Sequence, residues 1–174
     1  MSNEPVLSAA APTFAFGARL AASPAFKELF RDGMGLVEET AAYLDGAGRE
    51  ESKGLERGAA LAYATESMRL TTRLMQLASW LLLQRAVNEG ELTQEQAAQE
   101  KSKVRLSSVG APTPSATLVE LPQSLQDLVA KAMRLQERVV HMDRLLFGSL
   151  EAPLEQASPL AGQMDRLAAA FGRR

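Results

Sequence analysis

The side chains in this sequence that could do chemistry are few, and their spacing does not bring them together. There is a single histidine, His141, with Glu137 one helical turn before it. A helical bundle can hold a di-iron centre when two Glu-x-x-His pairs and two further glutamates point inward. One histidine cannot supply that set, and His141 lies beside the Val139 and Met142 stripe rather than on it, so it reads as a solvated or rim residue. The glycines at 46, 48 and 54 invite comparison with a phosphate-binding loop. Their stretch, Gly-Ala-Gly-Arg-Glu-Glu-Ser-Lys-Gly, lacks the Gly-Lys-Ser/Thr order and follows no strand, so it is read as a turn between helices. Glu38 with Glu39, and Glu50 with Glu51, are adjacent pairs. Neighbouring helical positions point about 100° apart, so neither pair shares a proton and both read as solvated faces. Ser52 and Ser124 have neither a base at triad order beyond His141 nor a nucleophile-elbow motif. The absence of cysteine removes thiol chemistry, thiolate metal sites and disulfides. The expectation is a protein with no catalytic residues, no metal and no cofactor.

What the sequence does encode is helix. Hydrophobic residues make up 46% of the 174 positions but aromatics only 5%. The apolar load falls on Leu, Ala and Met, which favour helices over strands. With 19 basic against 21 acidic side chains and a net charge of −2, there is no field to gather phosphates, so nucleic acid is not an expected partner. No run approaches the roughly 18 to 20 apolar residues that span a bilayer, and no basic-then-apolar leader opens the chain. A soluble, cytoplasmic protein without membrane insertion is expected.

Residues 1–22, rich in Ala, Ser and Pro, read as a largely disordered leader carrying Phe14 and Phe16. Ser23 followed by Pro24 is a helix start, and a first helix over 24–44 is expected to bury Phe26, Phe30, Met34, Val37, Ala41 and Leu44. Gly46 and Gly48 should end it. From 55 to 89 no proline intervenes, which predicts one helix about 50 Å long closed by Gly90. Two stripes run down it at coiled-coil spacing. Tyr63, Leu70, Leu74, Leu77 and Leu81 form one; Ala64, Met68, Met75, Ala78 and Leu82 form its neighbour. A third face reads Glu66 and Arg73 early but Trp80, Leu83 and Val87 later. Thr93 with Gln96 makes a capping box that opens a short polar helix over 94–106. Residues 107–117 read as a loop, and a last helix over 122–147 carries Leu125, Leu128, Ala132, Leu135, Val139, Met142 and Leu146, with Gly148 ending it. The segment 149–174 reads as a flexible tail with a weak amphipathic patch.

These elements predict an all-α fold, an antiparallel three-helix bundle over 23–148 with a short extra helix and disordered termini. Each bundle helix touches two neighbours, so the apolar faces of the second helix exceed what the bundle can cover. The third face could be covered within the chain by Leu92, Val104 and Leu106, or by a partner. The expected partner or dimer interface is the second half of that helix, at Leu70, Leu74, Leu77, Trp80, Leu81, Leu83 and Val87, with Trp80→Asp as its test. In the tail, Met164, Leu167 and Phe171 are candidate docking residues.

The stretch from Phe16 to Glu91 also carries a family resemblance. Leu36-Val-Glu-Glu-Thr-Ala-Ala-Tyr-Leu-Asp45 and Tyr63-Ala-Thr-Glu-Ser-Met-Arg-Leu-Thr-Thr-Arg-Leu-Met-Gln-Leu-Ala-Ser-Trp-Leu-Leu-Leu-Gln-Arg85 resemble the regulator of CtrA degradation family. The resemblance implies a dimeric helix-bundle adaptor that helps deliver CtrA and other cargo to the ClpXP protease. The protease would be primed by a single-domain response regulator, a cyclic-di-GMP-binding effector protein would take part, and recruitment to a cell pole would be compatible with that role. It supplies no catalytic motif and assigns no binding residue. The competing expectation is a scaffold bundle that holds partners in place without affecting their turnover.

Overall fold

Ser23 and Pro24 start the first helix in the way their chemistry predicts. The serine Oγ accepts the Phe26 N–H at 3.3 Å, and proline occupies a position where no amide is needed. The computed structural model describes residues 23–104, 106 and 114–151. The expected leader and the tail residues Met164, Leu167 and Phe171 lie outside the described residues. Helix α1 spans Pro24–Asp45 and buries Phe26, Leu29, Gly33, Leu36 and Thr40. This face is rotated about one residue from the expected stripe: Phe30, Met34 and Val37 are half-buried at its edge and Ala41 is exposed. The cause is Gly33. A Cβ there would collide with Leu81 Cδ1, so that leucine packs directly onto the α1 backbone at a residue that carries no hydrophobic signal.

The expected turn after α1 is instead a second helix, α2, Ala47–Lys53. Gly46 ends α1 by donating to Ala42 and Tyr43 carbonyls, and its own carbonyl accepts from Arg49 and Glu50, so one residue closes one helix and opens the next. Gly48 is buried against both tyrosines, where a Cβ would lie 2.6 Å from the Tyr63 hydroxyl. The Tyr43 hydroxyl donates to Glu51 Oε2 at 2.8 Å. Burial, and after it this bond to a carboxylate, hold the Tyr43 ionisation well above its ordinary range.

Helix α3, Arg57–Asn88, is the long helix. Its end is a Schellman motif: Glu91 N–H reaches Ala86 O at 2.9 Å, Gly90 N–H reaches Val87 O at 3.1 Å, and Gly90 has φ +77°. Helix α4, Gln94–Lys101, opens on the expected capping box but ends five residues early. There the Ser102 hydroxyl takes the Gln99 carbonyl, and Val104 and Leu106 turn back onto the core. A single turn, α5, Ser115–Leu118, takes up the end of the expected loop. Helix α6, Gln123–Glu151, continues past Gly148. A lone glycine costs a helix only about 1 kcal/mol, too little to end it.

Bond partners give the helix directions. Asp32 meets Arg138 and Glu39 meets Lys131, so α1 and α6 are antiparallel. Arg73 bonds Gln136 and Trp80 bonds Asp143, a constant offset, so α3 and α6 run parallel. The segment between them must therefore return along the bundle before α6 can begin. Pro114 and Thr117 accordingly line a hollow with Gly58, Leu61 and Thr65 at the start of α3. The core is leucine-rich: Leu70, Leu74, Leu77 and Leu81 of α3 meet Leu125, Leu128, Ala132, Leu135, Val139 and Leu146 of α6 and the buried face of α1. Among the described residues no helix is long and apolar enough to cross a membrane.

Candidate interaction surface

Of the expected interface residues, Leu70, Leu74, Leu77, Trp80 and Leu81 are each at most 4% exposed, inside the chain's own core. Leu83 and Val87 are half-buried against the same core. The physical reason is that α1, α4 and α6 together cover the third face. The Trp80 ring sits 6.4 Å from that of Phe26, and its Nε1 donates to Asp143 Oδ1 at 2.8 Å. Lys101 of α4 completes the arrangement, with Nζ 2.9 Å from Asp143 Oδ2 and 4.6 Å from the centroid of the Phe147 ring. Of the three residues of the intramolecular alternative, Val104 and Leu106 pack against the core, while Leu92 is half-buried outside it. Gln136 ties the returning segment down by donating to the Leu106 carbonyl at 2.7 Å while accepting from Arg73 Nε.

The surplus apolar face is the neighbouring stripe. Leu61 is 70% exposed, Met68 72%, Met75 65% and Leu82 51%. They are spaced at seven-residue intervals, so they lie on one line about 32 Å long. Between them stand Ala64, Thr65, Thr71, Thr72, Ala78 and Ser79, all small. The hydroxyls on this face are turned inward to the helix itself. Thr65 donates to Leu61 O, Thr71 to Ser67 O, Thr72 to Met68 O and Ser79 to Met75 O, at 2.8–2.9 Å. With those donors satisfied internally, the face presents chiefly methyl groups to solvent. The charged residues between Arg57 and Arg85 are drawn to the flanks: Glu66 is buried beside Arg69, and Arg73 is held by Gln136. Large residues at one heptad position with small ones between form the knobs and holes of helix-to-helix packing. The signal was present in the sequence, since Met68, Met75 and Leu82 form part of the second stripe; Leu61 extends it by one heptad.

The candidate catalytic groups do not assemble. His141 and Glu137 are exposed, Glu38, Glu39, Glu50 and Glu51 are exposed, and Ser124 is exposed. Among the described residues no three His, Cys, Asp or Glu side chains lie close enough together to hold a metal ion.

Comparison with known proteins agrees with this architecture. The family model described as a protein of unknown function, DUF1465, matches residues 17–171. No curated protein matches the chain. Among solved structures, RcdA from Caulobacter crescentus CB15 is 53% identical, with a TM-score of 0.60 over 74% of this chain and 96% of that one. The chain belongs to the DUF1465 family, that of RcdA, the regulator of CtrA degradation.

Proposed function

We propose that this protein is a non-catalytic adaptor in regulated proteolysis, which helps deliver a cell-cycle regulator such as CtrA to the ClpXP protease. The observation that carries the reading is the 53% identity to RcdA over nearly all of that protein's resolved length, on a bundle with an exposed apolar stripe along α3. The mechanism is tethering: cargo and protease held on one body meet at a raised effective concentration, without bond chemistry. The expected companions are a single-domain response regulator that primes the protease and a cyclic-di-GMP-binding effector protein. The setting is the cytoplasm, with recruitment to a cell pole compatible with it.

The exposed stripe of α3 supports a homodimer. A two-fold axis near Thr71 and Thr72 would set Leu61 against the partner's Leu82 and Met68 against the partner's Met75, large residues facing large around a small-residue centre. The tail residues Met164, Leu167 and Phe171 belong to the proposal as a docking segment, and a chain ending at Glu151 should keep its helicity and lose one partner.

The test is reconstitution. Adding the purified chain to CtrA, ClpXP, the response regulator and the effector protein should shorten CtrA half-life. No acceleration for any cargo would sink the adaptor reading. An unchanged cargo half-life in a deletion strain would leave the scaffold as the better description.

A further inference from the structure

On the flank away from the α3 stripe, α1 and α6 face each other through a ladder of charges. Asp32 pairs with Arg138 at 2.9 Å and Glu39 pairs with Lys131 at 2.6 Å. Midway between these rungs α6 presents Arg134, and at the matching position α1 presents Gly35 in place of an acid. Nothing lies within 4 Å of where a Cβ on Gly35 would be, and Arg134 has no carboxylate partner among the described residues. The two residues line one hollow of about 480 Å³, continuous through Glu39, Lys131 and Arg134 with a second of about 490 Å³. Leu36, Leu128 and Leu135, all buried in the bundle, form the apolar floor.

We infer that this groove is a binding site for an acidic segment of a partner protein, whose Asp or Glu side chain enters the notch over Gly35 and pairs with Arg134. The rungs on either side show the geometry that a carboxylate at this level would adopt, and the guanidinium offers a two-toothed hydrogen-bonding edge to receive it. Asp32 and Glu39 are already neutralised by Arg138 and Lys131, so the groove keeps one unmatched positive charge and calls for one carboxylate flanked by neutral residues. The site is separate from the α3 stripe and stands whether or not the protein is a protease adaptor.

The experiment is a selection from a random twelve-residue peptide library displayed on phage, against the full chain, followed by fluorescence anisotropy of the recovered peptides. Enrichment of a single Asp or Glu between neutral residues is expected. Arg134→Gln should weaken those peptides by up to about five-fold, as suits an ion pair made by an exposed arginine. Gly35→Glu, which supplies the missing acid from α1 itself, should abolish their binding while the unfolding midpoint is unchanged or raised. Peptides without acid enrichment, or equal affinity for both variants and the parent chain, would overturn the site. Tighter binding to a chain ending at Glu151 would assign the groove to the protein's own residues 152–174. Affinity that falls as the protein is concentrated would assign it to a second copy. A positive selection together with unaltered CtrA turnover in the reconstituted system would leave the groove standing and remove the adaptor reading.

Discussion

Gly33 and Gly35 stand two residues apart on one helix and have opposite roles. Alanine at 35 gains the helix-propensity advantage with nothing in its way, about 0.5–1 kcal/mol. Alanine at 33 gains the same but drives its methyl into Leu81, a fully buried side chain whose displacement costs about 1–3 kcal/mol. Urea titrations should therefore show Gly35→Ala raising the midpoint and Gly33→Ala lowering it, and two shifts of the same sign would contradict the close approach. Tyr43 gives a pH signature at the same scale. Its folded ionisation is raised above the ordinary 10.0, so the stability it confers is fully present below that pH and is lost as the pH climbs toward the folded value. Stability measured from pH 9 upward should fall for the wild type once pH 10 is passed, and Tyr43→Phe should flatten that decline.

At the level of elements, α4 depends on one polar knot. Lys101 and Asp143 are only 12% and 14% exposed, and Asp143 also receives the Trp80 indole N–H. Asp143→Ala leaves the buried Trp80 indole N–H without its acceptor and takes one carboxylate from Lys101, which together cost about 2 kcal/mol. Hydrogen exchange should then accelerate first in Gln94–Lys101 while the interiors of α1, α3 and α6 stay protected; uniform loss of protection would mean that the knot holds the whole bundle. Legibility from sequence also differed by element. Helix α6 was readable because its seven expected core residues form one face with no rival. The buried face of α1 was misplaced by a residue because two of its buried positions are Gly33 and Thr40, neither of which registers as apolar. Helix α2 was hidden by glycines that act there as a shared cap and a packing site. In α3 two apolar stripes run side by side, and the helix alone does not determine which is covered. That depends on α1, α4 and α6, whose packing buries Trp80, half-buries Leu83 and Val87 and leaves Met68 and Met75 outside.

For the whole molecule, this placement changes which substitution tests association. Trp80→Asp would bury a charge in the core and report on folding. Met68→Glu with Met75→Glu alters only the exposed face, so the chain should fold with its helicity unchanged and run as a monomer by light scattering at concentrations where the parent is dimeric. A parent that is monomeric throughout would leave the stripe without its proposed second copy. The antiparallel setting of α1 against α6 has a mechanical side as well. The chain enters α1 and leaves α6 at the same end of the bundle, beside the Asp32–Arg138 rung. Tension drawn between Pro24 and Glu151 would thus meet the charge rungs one after another, Asp32–Arg138 before Glu39–Lys131, and would peel the two helices apart like a zip instead of sliding them past each other. A bundle loaded in this way yields at low force, while the same bundle pulled along its length from opposite ends would have to shear its leucine layers all at once.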